Sequence, residues 1–252
     1  LTFVVTNLGG TVALPSWADR LYLSTNATLD AGDIPFHSTT GGGPIDFVIN
    51  TQLPISGSYK QQVDVRVPSV NAGDYFLLVQ TDSTNSFSEI NEANNVFATA
   101  IHLTTPDLVP TNFFAPSSIT ITQLNQRVEI GWNILNQGNG AAQVNWTDYL
   151  YISPTNVLDT NAVYIGSESH AAPLPSGQSY LSFDTPSLPN GLQGNYFLML
   201  SADHNNALFE AVETNNLSVL PLQIVIPPLA DLSLTEVAGP TEAWSGQEIE
   251  IS

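Results

Sequence analysis

The sequence predicts an all-β chain of tandem immunoglobulin-like β-sandwiches, each with about seven strands. Three observations carry that prediction. The chain repeats itself with a period of about 120 residues, too long for a solenoid unit and the size of a whole domain. Apolar and polar residues alternate in short runs, and turn-forming clusters separate those runs. No window holds a sustained helical period with caps.

The repeat is read from matching words. Trp17-Ala18-Asp19-Arg20-Leu21-Tyr22-Leu23-Ser24 returns as Trp146-Thr147-Asp148-Tyr149-Leu150-Tyr151-Ile152-Ser153. Gly73-Asp74-Tyr75-Phe76-Leu77 returns as Gly194-Asn195-Tyr196-Phe197-Leu198, and Asn91-Glu92-Ala93-Asn94-Asn95 as Val212-Glu213-Thr214-Asn215-Asn216. Residues 1–9 align with 130–138, Asp107-Leu108 with Asp231-Leu232, and residues 126–130 with 247–251. The first unit therefore lacks the equivalent of about residues 107–129, and a third consists of little else. An exposed sheet edge is expected in the first unit, a known pairing liability. Residues 231–252 carry the missing strand type at the far end of the chain, so completion within one molecule is not expected and exchange between molecules stays open.

Within the complete unit, residues 127–134 alternate, with Val128, Ile130, Trp132 and Ile134 on one face. Residues 146–153 and 196–202 are rich in aromatic and branched side chains, and 217–225 reads as a last strand. Asn136-Gln137-Gly138-Asn139-Gly140, Pro173-Leu174-Pro175-Ser176-Gly177, Pro189-Asn190-Gly191 and His204-Asn205-Asn206 supply the turns. Thr104-Thr105-Pro106-Asp107 and Ile226-Pro227-Pro228-Leu229-Ala230-Asp231 join successive units, and their prolines make semi-rigid spacers. The first unit carries an insertion of about eight residues around Gly41-Gly42-Gly43-Pro44-Ile45-Asp46, a surface loop or a rebuilt hairpin.

Composition narrows the function. The net charge is −19, with Arg20, Lys60, Arg66 and Arg127 the basic residues. Such a polyanion is repelled by nucleic acid and anionic lipid, so neither is an expected partner. There is no cysteine, which removes disulfides, thiol catalysis and zinc-thiolate sites. No apolar run approaches the roughly 18–20 residues that span a bilayer, so membrane insertion is not expected. The chain opens on Leu1 inside a strand-like pattern, and a secretion signal could lie upstream.

The polar residues that recur in both copies are Asp19 and Asp148, Ser24 and Ser153, Asp30 and Asp159, Asp82 and Asp203, Glu89 and Glu210, Glu92 and Glu213, and the pairs Asn94-Asn95 and Asn215-Asn216. Alternation puts Asp19 on one face with Trp17, Leu21 and Leu23, and a carboxylate there needs donors or a cation. Two readings stay open. The carboxylates accept backbone N–H bonds and close turns, as Asp and Asn commonly do. Alternatively, Asp19, Asp30, Asp33, Asp82, Glu89 and Glu92, with Asp148, Asp159, Asp203, Glu210 and Glu213, hold calcium, the one cofactor such oxygens suggest. The segment Asn26-Ala27-Thr28-Leu29-Asp30-Ala31-Gly32-Asp33 does not have EF-hand spacing, and Ala162 stands where the second copy would need the equivalent of Asp33.

Catalysis finds no support. His37, His102, His170 and His204 align with Gly166, Gln223, Gly41 and Ser83, so no histidine recurs. No nucleophile elbow, P-loop or His-Glu-x-x-His motif is present. Glu89 and Glu92 could in principle do glycosidase chemistry, but they sit in a turn with no deep cleft implied. Tyr22, Tyr149, Tyr151 and Trp244 are candidates for stacking on sugars, while Trp17, Trp132, Tyr75 and Tyr196 follow core patterns.

Taken together, these words resemble CARDB domains, the cell adhesion related domain found in bacteria. The resemblance rests on residues 17–24 followed by Leu29-Asp30-Ala31-Gly32-Asp33, on Gly73 to Leu77, and on Glu89-Ile90-Asn91-Glu92-Ala93-Asn94-Asn95. Their counterparts are residues 146–153, Leu158-Asp159, 194–198 and 210–216, with Asp107-Leu108-Val109 and Ala230-Asp231-Leu232 resembling the family's opening strand. The resemblance divides the chain into 1–105, a sandwich lacking its first strand region, 106–227, a complete one, and 228–252, the opening strands of a third. It implies a non-enzymatic adhesion or spacer module of a larger bacterial surface or secreted protein, located outside the cell. Neighbouring repeats are the expected partners, with a surface protein or a glycan beyond them. The alternative is a calcium-rigidified or carbohydrate-binding accessory module.

Overall fold

The computed structural model of the chain describes residues 1–38, 43–228 and 232–251. The first unit holds β1 (Thr2–Thr6), β2 (Trp17–Ser24), β3 (Ile34–Pro35), β4 (Asp46–Ile49), β5 (Ser58–Gln62), β6 (Gly73–Gln80) and β7 (Val96–Leu103). The second holds β8 (Leu108–Phe114), β9 (Ser118–Thr120), β10 (Ile130–Asn136), β11 (Trp146–Ser153), β12 (Val163–His170), β13 (Ser179–Asp184), β14 (Gly194–Ser201) and β15 (Leu217–Val225). Between β7 and β8 lie residues 104–107 alone. The chain is all-β, and both units build two-sheet sandwiches.

In the second unit a three-stranded sheet, β13-β10-β8, packs on a five-stranded one, β12-β11-β14-β15-β9. In the first unit β1 pairs with β5 alone, opposite a sheet in the order β3-β2-β6-β7 with β4 also paired to β2. β1 pairs with β5 on one edge and with no other strand among the described residues.

Period-two alternation accounts for the inward faces. Trp17, Asp19, Leu21 and Leu23 of β2 are all at most 3% exposed, and in β11 Trp146, Asp148, Leu150 and Ile152 are buried likewise. The second core is one continuous cluster centred on Trp132, which joins Leu108, Val128, Ile130 and Ile134 to Leu150, Leu198 and Leu222. The first core is split. Leu21, Leu23, Phe36 and Val79 form one cluster and Trp17, Ile49 and Leu53 another. Phe3 stands in the place of Trp132 and is only half-buried.

The glycine-rich insertion is a rebuilt hairpin in its described arms. Ser38 N–H donates to the Gly43 carbonyl at 3.3 Å and Ile45 N–H to the Phe36 carbonyl at 2.8 Å. Its tip, with Gly41 and Gly42, lies outside the described residues.

A carboxylate buried among apolar residues needs donors, and both copies supply them. Asp148 Oδ2 accepts from Trp132 Nε1–H at 2.9 Å and from the Tyr180 hydroxyl at 2.6 Å, with His170 Nε2 also at 2.9 Å. Its other oxygen takes the Asp203 N–H at 3.3 Å. Asp19 repeats the design with the Tyr59 hydroxyl at 2.6 Å and the Thr81 hydroxyl at 2.8 Å. Burial raises the Asp19 carboxyl above its usual range despite these bonds. Burial and the adjoining carboxylate likewise raise the phenols of Tyr59 and Tyr180. Each Asp therefore ties the two sheets of its sandwich together through a tyrosine of β5 or β13. Replacing Asp148 by Ala takes the acceptor from Trp132 Nε1–H, the Tyr180 hydroxyl and the Asp203 N–H. The expected loss is about 3–5 kcal/mol, read as a lower urea midpoint.

Candidate functional site

The joint is not a solvent-exposed tether beyond Thr104. Thr105, Pro106, Asp107 and Leu108 are all buried, and every one is engaged by the second sandwich. Thr105 N–H donates to Asn139 Oδ1 at 3.0 Å, and its carbonyl accepts from Gly140 N–H at 2.9 Å. The Pro106 carbonyl accepts from Ala211 N–H at 2.9 Å. Asp107 N–H donates to Asn136 Oδ1 at 3.1 Å, and its carbonyl accepts from Gln137 N–H at 2.8 Å. The Asp107 carboxylate takes Asn215 Nδ2–H at 2.8 Å and Gln137 Nε2–H at 3.1 Å. Leu108 N–H donates to Glu210 Oε2 at 2.9 Å. Asn216, its amide nitrogen turned towards its acceptors, donates to the Leu108 carbonyl at 2.7 Å.

Two loops form this clasp. One is the β10–β11 turn, where Gly138 and Gly140 let the joint approach closely. A Cβ on Gly138 would lie 2.4 Å from the Thr105 carbonyl oxygen and 2.6 Å from the Asp107 nitrogen, both backbone atoms that cannot swing away. The other is the β14–β15 loop, whose repeated word 210–216 supplies Glu210, Asn215 and Asn216. Glu213 shapes that loop by accepting Glu210 N–H at 3.0 Å, as Glu92 accepts Glu89 N–H at 2.8 Å.

The remaining recurring carboxylates are also answered by donors from the protein. Asp82 and Asp203 adopt positive φ, 44° and 39°, at turns. The Asp82 carboxylate accepts from Ser86 and Phe87 N–H, and Asp203 from Ala207 and Leu208 N–H. Asp30 accepts from Gly32 N–H at 2.8 Å, Asp33 from Asp30 N–H at 2.7 Å, and Asp159 from Asn161 N–H at 2.8 Å. Glu89, the counterpart of Glu210, is exposed and bonded to Asn95. Among the described residues no three His, Asp or Glu side chains form a group able to hold a metal ion.

Charge is crowded at the clasp. Burial pushes the Glu210 carboxyl up to about 8, the Leu108 N–H partly offsets this, and Asp203, Glu213 and Asp107 push it further up. Burial also raises Asp203, against the pull of the Leu208 and Ala207 amides. Glu210 Oε1 is buried with no hydrogen-bond partner.

Of the aromatic candidates, Tyr149 and Tyr151 gather with Tyr164 and His204 on the outer face of β11 and β12. Tyr149 stacks on His204 at 4.5 Å between ring centroids, and Tyr164 lies 5.5 Å from Tyr149 and 6.0 Å from Tyr151. Tyr22 has no such aromatic group around it among the described residues and its hydroxyl donates to Gln80 Oε1 at 3.2 Å. Trp244 is exposed, while Trp17 and Trp132 are core residues as their pattern indicated. Sequence reasoning missed the roles of Asn136 and Gly138. The signal was present, because Asn7 and Gly9 repeat them at the same spacing.

The raised Glu210 has a direct consequence for pH. Its folded pKa lies above the ordinary 4.5, so folding takes up a proton. That stabilisation is complete below about pH 4.5 and is lost as the pH rises through about 8. Glu210→Gln keeps an acceptor for Leu108 N–H without titrating. Its melting temperature is expected to fall less than that of the native chain between about pH 5 and about pH 9, by the equivalent of about 2–4 kcal/mol. Thermal melts across that range check it.

Comparison with known proteins follows this geometry. No curated protein matches the chain. Among solved structures, the CARDB domain of a Pyrococcus furiosus protein, determined in complex with di-metal ions, is 17% identical with a TM-score of 0.37, covering 48% of this chain and 96% of that one. A domain of a proposed cell surface protein of Methanosarcina acetivorans is 21% identical with a TM-score of 0.36, covering 48% and 93%. A Listeria innocua β-glucosidase is 9% identical with a TM-score of 0.32, covering 50% of this chain and 17% of that one. The CARDB family model matches residues 1–99 and again 105–219, two matches that meet at the joint, and the chain belongs to the CARDB family.

Proposed function

We propose that the chain is a non-enzymatic adhesion or spacer module of an extracellular or cell-surface protein, in which the joint fixes one sandwich to the next. The observation that carries this is the burial of residues 105–108 within the second sandwich, with hydrogen bonds to their backbone and to the Asp107 carboxylate. A tether that ordered costs roughly 1–2 kcal/mol per residue in backbone entropy, a cost without benefit if the units were meant to move freely. Recurring carboxylates that hold backbone amides serve the same end. Nuclear spin relaxation tests the reading. Both sandwiches of the native chain are expected to share one rotational correlation time. Gly138→Ala, which drives a methyl into the joint's backbone, is expected to separate the two values. Independent tumbling in the native chain would remove the spacer reading.

A second reading, carbohydrate binding by the second sandwich, is favoured by the Tyr149, Tyr151, Tyr164 and His204 group. Tyr164 is 52% exposed, and Tyr151 Oη lies 2.9 Å from His204 Nε2, so rings and polar edges face outward together. The first unit has Arg20 and Pro35 in place of Tyr149 and Tyr164, so this surface belongs to one repeat. A glycan array is expected to give signals that Tyr164→Ala abolishes. A native signal no higher than that of the variant disposes of the idea.

A further inference from the structure

The outer face of the second sandwich's five-stranded sheet carries more aromatic surface than the fold requires. Met199 sits on that face opposite Tyr151 and is fully buried. Covering Met199 does not account for the rings around it. Leu78 holds the same place opposite Tyr22 in the first unit and is buried as completely. Yet the first unit has Arg20, Pro35 and Ser83 where the second has Tyr149, Tyr164 and His204. Those three rings are a property of one repeat.

The backbone is shaped to bring them together. Ser167 lies opposite Tyr149 and Tyr164 opposite Tyr151, and the ladder shifts register between Leu150 and Tyr151. Tyr164 and Ser167 are three residues apart, an odd step that in an unbroken strand puts side chains on opposite faces. The bulge takes up one residue and returns Tyr164 to the outer face, where its hydroxyl lies 2.9 Å from Ser167 Oγ. Ile165, between them, packs against the core instead. On the other side of β11, the turn after β14 supplies His204, stacked on Tyr149. Both of its nitrogens are held, Nε2 at 2.9 Å from the Tyr151 hydroxyl and Nδ1 at 3.2 Å from Ser201 Oγ.

Position and charge narrow what such a surface takes. The sheet order β12-β11-β14 sets Tyr164 and His204 on either side of Tyr149, across two strand spacings or about 9–10 Å. The row is longer than one pyranose ring. It runs out at β12, the border strand, where Tyr164 is half exposed, so a chain of sugars can continue past it. In the first unit the corresponding patch holds an ion pair, Arg20 with Asp46 at 2.7 Å. The same register puts Tyr149 and Ser167 in those two places. The second repeat therefore presents an uncharged patch in a chain of charge −19.

We propose that the row Tyr164, Tyr149 and His204 binds the interior of an uncharged polysaccharide laid across β12 and β11. The proposal rests on the carbohydrate reading above and narrows it to a ligand class. The C–H faces of successive sugars lie on the electron-rich faces of the rings, and the hydroxyls of Tyr151 and Tyr164 meet sugar hydroxyls at the rim. Acidic polymers are repelled by the net charge of −19. A cationic amino sugar finds no carboxylate in the row.

Affinity electrophoresis of the full chain through gels holding soluble polysaccharides tests this. The probes are hydroxyethylcellulose and galactomannan as uncharged polymers, polygalacturonate as an acidic one and chitosan as a cationic one. An uncharged polymer is expected to retard the native chain and polygalacturonate is not. Chitosan, drawn to the net charge, is expected to retard the native chain and Tyr164→Ala alike. Tyr164→Ala and His204→Ala, at the two ends of the row, are each expected to weaken binding of the uncharged polymer by about tenfold. Phe183→Ala, an equally exposed ring on the other sheet, is expected to leave it unchanged. By calorimetry, a hexasaccharide of the bound polymer is expected to bind about tenfold or more tightly than its monosaccharide. Melting temperatures confirm that each variant is folded. Preference for polygalacturonate, equal affinity for hexasaccharide and monosaccharide, or native affinity in His204→Ala overturns the proposal and leaves the carbohydrate reading standing. No retardation by either uncharged polymer, or retardation that survives Tyr164→Ala, removes that reading and the proposal together.

Discussion

A linker that is buried must have every N–H and C=O in it answered, and that requirement governs how the two sandwiches meet. Residues 105–108 pass through the interior of the second unit, where an unanswered backbone group costs about 1–3 kcal/mol. The β10–β11 turn and the β14–β15 loop exist in the form they do because they supply those partners. Gly138 is small because the Thr105 carbonyl lies against it, and Glu210 is buried because Leu108 closes over it. The positive φ of Asp203 sets the start of the loop that brings Glu210 and the two asparagines into place.

The same principle runs through the carboxylates of both units. In a chain of charge −19, acids placed inside or at the rim of a sandwich repel one another, and few cations are available to neutralise them. Amide and hydroxyl donors take that role instead, and the raised carboxyls of Asp19, Asp203 and Glu210 show that they do so incompletely. Protonation is part of how the clasp tolerates its own acidity.

Much of the fold was legible because its signals are local. Alternation placed Trp17, Asp19, Leu21 and Leu23 on one face, and the structure buries all four. The word repeat aligned β2 with β11 and β6 with β14, and the sheets place each as the equivalent central strand of its unit. The clasp was much less legible. Leu108 meets Glu210 across 102 residues and Asp107 meets Asn215 across 108, separations at which neither periodicity nor turn chemistry carries information. Recurrence marked Glu210 and the asparagine pair as a set, and only packing showed that they hold backbone. The division of the first core into two clusters was also beyond the sequence, because it depends on how side chains of different strands pack together.

The clasp decides how a pull along the chain would be borne. Tension arriving through β7 enters the second sandwich at Thr105, before any of its strands. It therefore loads the bonds of residues 105–108 to two separate loops before it can peel β8 from β10. The joint, seen from the sequence as a proline spacer, is mechanically the first element of the domain that follows it.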